Sequence, residues 1–358
     1  SMPISLSKID FVEPIKRPQN PVKPYPYKEE EVVFKNKSAD SVFLAGTLTI
    51  PEGAGPFKAV ILVSGSGPQN RDEFLLGHSP FLVLSDRLTR KGIIVLRYDD
   101  RGVANSTGDF SKATTQDFAS DADAAVKYLM SRKDLNISEI GIAGHSKGGL
   151  IAPITATENK IVDFIVMLAG PGIPGDSILN LQGDLIAKAS GFTDSMIYYY
   201  SAIRHDIINV VLAENDMDII SKKIIAINKE FLKTTPQYIL DEMQMSAKDS
   251  TSAVDFYANV WTKYFLSFDP RPILEKLKIP VLALNGTNDL QVPYKENLMA
   301  IEEALKKSES KNYKVLELKG LNHLFQVSVS GSPNEYSSLE ETFNEEAMEI
   351  IVNWILQL

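Results

Sequence analysis

Ser146 stands between two glycines in the run Ala143-Gly144-His145-Ser146-Lys147-Gly148-Gly149. The apolar segment Glu139-Ile140-Gly141-Ile142-Ala143 precedes the run, and Leu150-Ile151-Ala152-Pro153-Ile154 follows it. This order reads as strand, sharp turn, helix. A serine carried on such a turn is held out as a nucleophile. The spacing has a physical reason. The chain must reverse within a few residues, and a Cβ at position 144 or 148 would meet neighbouring backbone. The N–H of Lys147 then falls at a helix N-terminus, where it can stabilise an oxyanion. The bland reading of the same run is a glycine-rich loop with Ser146 as an N-cap. The rest of the chain must separate the two.

A nucleophilic serine needs a histidine base, and the base needs an orienting carboxylate. On strand-to-helix elbows the partners follow in the order serine, acid, histidine. The chain has only four histidines. His78 precedes the serine, His145 is locked in the turn, and His205 lies in a helical stretch. His323, in Lys319-Gly320-Leu321-Asn322-His323, follows a strand and comes last. It is the expected base. The acid is expected a few residues past an earlier strand end. Asp289 fits, in the Gly- and Asn-rich turn of Val281-Leu282-Ala283-Leu284-Asn285-Gly286-Thr287-Asn288-Asp289. Asp176 and Asp269 are weaker rivals, because neither follows a strand end in so typical a turn. Ser64-Gly65-Ser66-Gly67-Pro68 follows the third strand. Its small residues let backbone N–H groups approach a carbonyl, so Ser66 joins Lys147 as an expected oxyanion donor. Gly65, Gly67 and Arg71 are the expected substrate contacts beside it.

These pieces resemble a known family. Ser64-Gly65-Ser66-Gly67-Pro68-Gln69-Asn70-Arg71-Asp72, Arg97-Tyr98-Asp99-Asp100-Arg101-Gly102, the Ser146 turn, the Asp289 turn and the His323 loop are similar to those of α/β-hydrolases. The type is the bacterial carboxylesterases related to dienelactone hydrolases and prolyl-oligopeptidase catalytic domains. The likeness covers about residues 30–358. It implies a cofactor-free serine hydrolase with Ser146, Asp289 and His323 as its triad. It also implies that the Asp99-Asp100-Arg101 turn braces the loops beneath the active site. Ser64 departs from the commonest lipase pattern, where a histidine often precedes the glycine.

The elements that must position these residues alternate. Glu31 to Asn36 and Phe43 to Ile50 read as two strands joined by a polar turn. Ala59 to Ser64, Ile93 to Tyr98, Ile140 to Ala143, Phe164 to Leu168, Val281 to Asn285 and Tyr313 to Leu318 read as further strands. Phe81 to Lys91, Gln116 to Arg132 and Leu339 to Leu358 read as helices. The expected fold class is α/β: an α/β-hydrolase fold with a doubly wound, mostly parallel sheet, an antiparallel start and a helical lid insertion. Residues 1–29 form a proline-rich N-terminal arm, 30–171 and 269–358 the core, and 172–268 the lid. The lid is expected to hold four or five helices, including Ser195 to Leu212 and Met217 to Lys233. Its tyrosines and methionines point to an apolar or aromatic substrate group.

Composition bounds the rest. The 358 residues carry 44% hydrophobic and 23% charged residues and a net charge of −9. That charge opposes a nucleic-acid partner. No apolar run reaches the ~18 residues of a membrane helix. Cysteine is absent, which removes thiol chemistry and cysteine-ligated metals; neither cofactor nor metal is expected. The expected partner is a small-molecule ester, with a homo-oligomer left open. A chain starting Ser1-Met2-Pro3 reads as periplasmic or secreted if a signal segment was removed, and as cytoplasmic otherwise. The alternatives to an esterase are an amidase or peptidase on the same triad, and a non-catalytic binding module. Peptidase relatives usually need an extra domain or acidic residues that clamp a substrate amine, and no propeller-sized domain is read ahead of the hydrolase-like part of this sequence.

Overall fold

The computed structural model describes residues 15–39, 41–245 and 249–358. One sheet of eight strands organises them, in the order β1-β2-β4-β3-β5-β6-β7-β8. Its strands are β1 (Tyr27–Lys35), β2 (Phe43–Pro51), β3 (Phe57–Val63), β4 (Ile94–Tyr98), β5 (Ile137–His145), β6 (Phe164–Leu168), β7 (Val281–Gly286) and β8 (Tyr313–Leu318). β1 and β2 pair antiparallel, as do β2 and β4, and every later pairing is parallel. The expected α/β class and antiparallel start are therefore observed. β1 begins earlier than its sequence pattern indicates, because Tyr27 is already in register with Pro51.

Strand side chains alternate between faces. On β3, Ala59, Ile61 and Val63 join one apolar cluster, whereas Val60 and Leu62 join the other. The first cluster is completed by α2 (Thr115–Ser131), α3 (Gly148–Glu158) and α11 (Tyr294–Lys307), through residues such as Leu129, Ile154 and Ile301. The second is completed by α1 (Pro80–Arg90) and α12 (Glu345–Gln357), through Leu84, Leu88, Ile351 and Ile355. Each such side chain contributes about 1.5–3 kcal/mol on burial. Helices on both faces make the parallel strands continuous apolar runs.

Local signals set the helix ends. Thr114 and Asp117 form a capping box at the start of α2. The C-terminal helix starts at Glu345, where Asn344 caps it, and not at Leu339. The preceding residues are held instead by Gln19, whose side chain accepts from the N–H groups of Thr342 and Phe343 and donates to the Phe343 carbonyl. Arg17 likewise donates to the carbonyls of Leu339, Ser337 and Gly77. The described part of the proline-rich arm is thus tied to the body of the fold, while residues 1–14 lie outside the described residues.

Within 172–268 the described residues form six helices: α4 (Gly175–Ala189), α5 (Asp194–Ala213), α6 (Met217–Thr234), α7 (Gln237–Glu242), α8 (Asp249–Tyr257) and α9 (Val260–Ser267). That is one or two more than the pattern indicates, because α7, α8 and α9 are only six, nine and eight residues long and carry little helical periodicity. These helices share a cluster of their own around Ile203, Ile207, Val211, Ile220 and Ile224. The short α10 (Arg271–Leu274) leads back to β7. No helix among the described residues is long and apolar enough to cross a membrane.

Candidate active site

The end of β5 and the start of α3 hold Ser146 at φ +52°, in the left-handed region that non-glycine residues rarely occupy. The turn is tight enough to exclude side chains. A Cβ on Gly144 would lie 1.9 Å from the Gly148 carbonyl oxygen, and one on Gly148 would lie 2.1 Å from that of Val63. The Ser146 N–H donates to the Leu168 carbonyl at 2.8 Å, which pins the strained residue to β6. Strain of this kind costs about 1–3 kcal/mol and persists only where the surroundings enforce it.

Asp289 and His323 come from the loops after β7 and β8. His323 Nδ1 lies 2.8 Å from Asp289 Oδ2. Oδ1 of the same carboxylate accepts the N–H groups of Gln291 at 2.8 Å and Val292 at 2.9 Å. Both side chains are buried. A carboxylate acceptor requires Nδ1 to carry its proton, which leaves Nε2 of the neutral ring as the base. Ser146 and His323 line one cavity of about 220 Å³, together with Gly65, Ser66, Lys147, Trp261 and Phe265. Ser146 Oγ makes no hydrogen bond among the described residues; such contacts commonly tighten only around substrate.

Of the loop after β3, Gly65 and Ser66 reach this cavity and Gly67 does not. The Gly65 N–H is engaged, donating to Glu73 Oε1 at 2.6 Å. The N–H groups of Ser66 and Lys147 have no acceptor among the described residues. Arg71 lies apart from the cavity. Its guanidinium forms a fork on Asp99 at 3.1 and 2.8 Å, and also reaches Glu31 at 2.5 Å and Thr47 at 2.9 Å. Every guanidinium nitrogen has a protein partner, and Arg71 is not among the described walls of the cavity.

The Asp99-Asp100-Arg101 turn braces the site from below. Asp100 accepts from the Ser64 hydroxyl at 2.9 Å and the Gln69 N–H at 3.3 Å, and it faces Lys147 Nζ at 3.4 Å. Lys147 is fully buried, with Nζ 3.9 Å from the Phe118 ring centre. Burial raises the Asp100 carboxyl above its usual range, against the pull of Lys147 and the hydrogen bonds. Arg101 clamps Asp121 at 2.6 and 2.9 Å.

Sequence reasoning set His145 aside and did not single out Glu73, yet both hold the site together. His145 Nδ1 lies 2.9 Å from Glu73 Oε1, and Nε2 lies 2.9 Å from the His323 carbonyl oxygen. A carbonyl only accepts, so Nε2 is the donor to His323. Burial pushes the His145 imidazole down, but the charge and hydrogen bond of Glu73 and the His323 carbonyl raise it overall. His145 thus ties the Ser146 turn to the loop after β3 and to the His323 loop. No spacing signal marks Glu73, because its partner is 72 residues away. The other two histidines stay apart. His78 bridges Thr342 and the Tyr336 carbonyl, and His205 is exposed on α5.

A mostly parallel sheet, a strained serine after β5 and an Asp–His pair after β7 and β8 define a hydrolase of the α/β class. Comparisons with known proteins agree. Residues 77–237 match the serine aminopeptidase S33 family model. Esterase EstD of Thermotoga maritima is 30% identical over 329 residues, covering 90% of this chain and 68% of that protein. The esterase Pf2001 of Pyrococcus furiosus superposes with a TM-score of 0.54 at 16% identity, covering 92% of this chain and 93% of its own. A proline iminopeptidase of Mycobacterium smegmatis gives 0.56 at 16% identity, over 92% and 98%. The chain belongs to the α/β-hydrolase family of serine hydrolases, as a carboxylesterase-like enzyme.

Proposed function

We propose that the protein hydrolyses carboxylic esters through an acyl-enzyme on Ser146, His323 and Asp289. One observation carries this reading: the strained Ser146 and the Asp289-anchored His323 line the same small cavity. His323 Nε2 takes the Ser146 proton as Oγ bonds to the substrate carbonyl carbon. Asp289 holds the tautomer and stabilises the imidazolium that forms. The N–H groups of Ser66 and Lys147 receive the oxyanion, each worth ~3 kcal/mol in the transition state. The alcohol leaves with the proton from His323. Water then loses a proton to His323, attacks the acyl carbon and releases the acid, returning the proton to Ser146.

Residues 172–268 act as the lid. Leu179, Trp261 and Phe265 give the catalytic cavity apolar walls, which suit the hydrocarbon part of an ester. The one carboxylate among its described walls, Glu73, is committed to His145 and Gly65. No free carboxylate there can clamp a substrate amine, which favours an ester over an aminoacyl amide.

The test is a p-nitrophenyl ester series from acetate to long chains, run beside matched aminoacyl anilides, with Ser146→Ala as control. Serine-dependent ester cleavage exceeding anilide cleavage is expected. Faster anilide cleavage would move the assignment to an amidase. Absence of any cleavage, together with failure of a fluorophosphonate to label Ser146, would leave a binding module.

A further inference from the structure

The lid helices enclose a second, larger cavity of about 530 Å³. It shares Leu179, Gln182 and Phe256 with the catalytic cavity, so these side chains separate two adjoining spaces. Most of its other walls are apolar, and Arg204 is the one charged residue among the described residues lining it.

Arg204 is only 5% exposed, and its bonding is incomplete. Nε reaches Asn180 Oδ1 at 3.3 Å, and Nη2 reaches the Ser201 hydroxyl at 3.3 Å and pairs with Asp184. Nη1 is buried with no hydrogen-bond partner among the described residues. The backbone makes room for it: a Cβ on Gly183 would lie 2.0 Å from Nη1. Asp184 is not a wall of the cavity, and its side chain is 45% exposed. Its charge therefore balances Arg204 from outside the cavity. Leaving buried N–H groups unmet costs about 1–3 kcal/mol, more for a charged group. An alkane in the cavity would offer the guanidinium no partner, and an aromatic face is already supplied by Tyr200, over whose ring Arg204 lies at 5.2 Å. A carboxylate in the cavity would pair with the guanidinium that lines it, through a charge-assisted hydrogen bond roughly twice as strong as a neutral one.

We propose that this cavity is a substrate subsite for the end of the ester remote from the scissile bond, and that Arg204 receives a carboxylate there. The substrate class is an ester whose apolar spacer ends in a free acid, such as a half-ester of a medium-chain dicarboxylic acid. The inference rests on the esterase reading above, and it names the substrate of that same site.

The experiment compares monomethyl with dimethyl esters of adipic, suberic and sebacic acids. Acetylated ω-hydroxy acids are compared with their methyl esters, which places the acid on the alcohol side. A kcat/KM ratio, per ester group, of about 10 or more in favour of the acid is expected in at least one pair, the size of a charge-assisted hydrogen bond. Arg204→Met should collapse that ratio towards unity, and Arg204→Lys should keep part of it. If Arg204→Met does not fold, calorimetry on Ser146→Ala decides: monomethyl suberate should bind at least about tenfold tighter than dimethyl suberate. A ratio at or below one in every pair, a ratio unmoved by Arg204→Met, or equal binding to Ser146→Ala would overturn the proposal. Hydrolysis of any of these esters that survives Ser146→Ala would instead overturn the catalytic assignment, and the binding comparison would still judge the subsite.

Discussion

Single side chains divide into those that do chemistry and those that hold others in place. Ser146→Ala should cut kcat/KM by roughly 10⁴-fold or more, with an unchanged thermal melt, because the hydroxyl makes no hydrogen bond among the described residues. Asp289→Asn should approach a similar loss, about 10⁴-fold in kcat, since the amide cannot both keep the Gln291 and Val292 donors and accept from His323. Glu73 and His145 belong to the second group. The His145 pKa is raised above its ordinary 6.5. The pair's contribution to stability is therefore fully present below about 6.5 and fades as pH rises through the folded value. In chemical denaturation, Glu73→Gln should thus be most destabilising relative to wild type in mildly acidic buffer, and the gap should narrow in alkaline buffer. A gap that widens with pH would show that His145 is neutral. Such side chains were the least legible. Ser146, Asp289 and His323 announce themselves by local turns, whereas Glu73 and Arg204 matter only through partners distant in sequence.

At the scale of elements, the turn between β5 and α3 concentrates the strain. Gly148→Ala would drive a methyl into the Val63 carbonyl. Overpacking of this kind typically costs about 1–3 kcal/mol, and backbone, unlike a flexible side chain, cannot easily give way. Denaturant unfolding should show at least that loss, and esterase activity should fall with it, since the Ser66 loop follows directly on Val63. Lys147→Met tests the buried brace. It keeps the contact with Phe118 but leaves Asp100 without its counter-charge. Breaking a buried pair from one side costs about 3–5 kcal/mol. The Ser64 and Gln69 hydrogen bonds to Asp100 should hold the loss to the lower part of that range, readable as a lower melting temperature. Most elements were legible because periodicity is local: α2 and α6 lie within a residue or so of their sequence pattern. The start of α12 was not, because Leu339 and Phe343 stand at helical i, i+4 spacing while the backbone of Glu341, Thr342 and Phe343 is bonded to Gln326 and Gln19.

At the scale of the whole molecule, the described N-terminal arm is tied to the segment that leads into α12. Arg17 and Gln19 bond to residues 337–343. Arg17→Ala should lower stability by about 1–2 kcal/mol, the worth of hydrogen bonds made by a charged donor, without changing the rate per folded enzyme. The sequence by itself determined the α/β class, the direction of most strands and the identity of the Ser146, Asp289 and His323 candidates. Each of these rests on short-range patterns: apolar runs, glycines around a serine, and turn residues after strands. Tertiary structure alone decided that Arg71 is consumed by Asp99 and Glu31, that the Gly65 N–H is taken by Glu73, and that Arg204 borders a cavity with one nitrogen unmet. Whether a polar group is free or satisfied depends on which distant atoms reach it. That accounting closes only when the chain is folded.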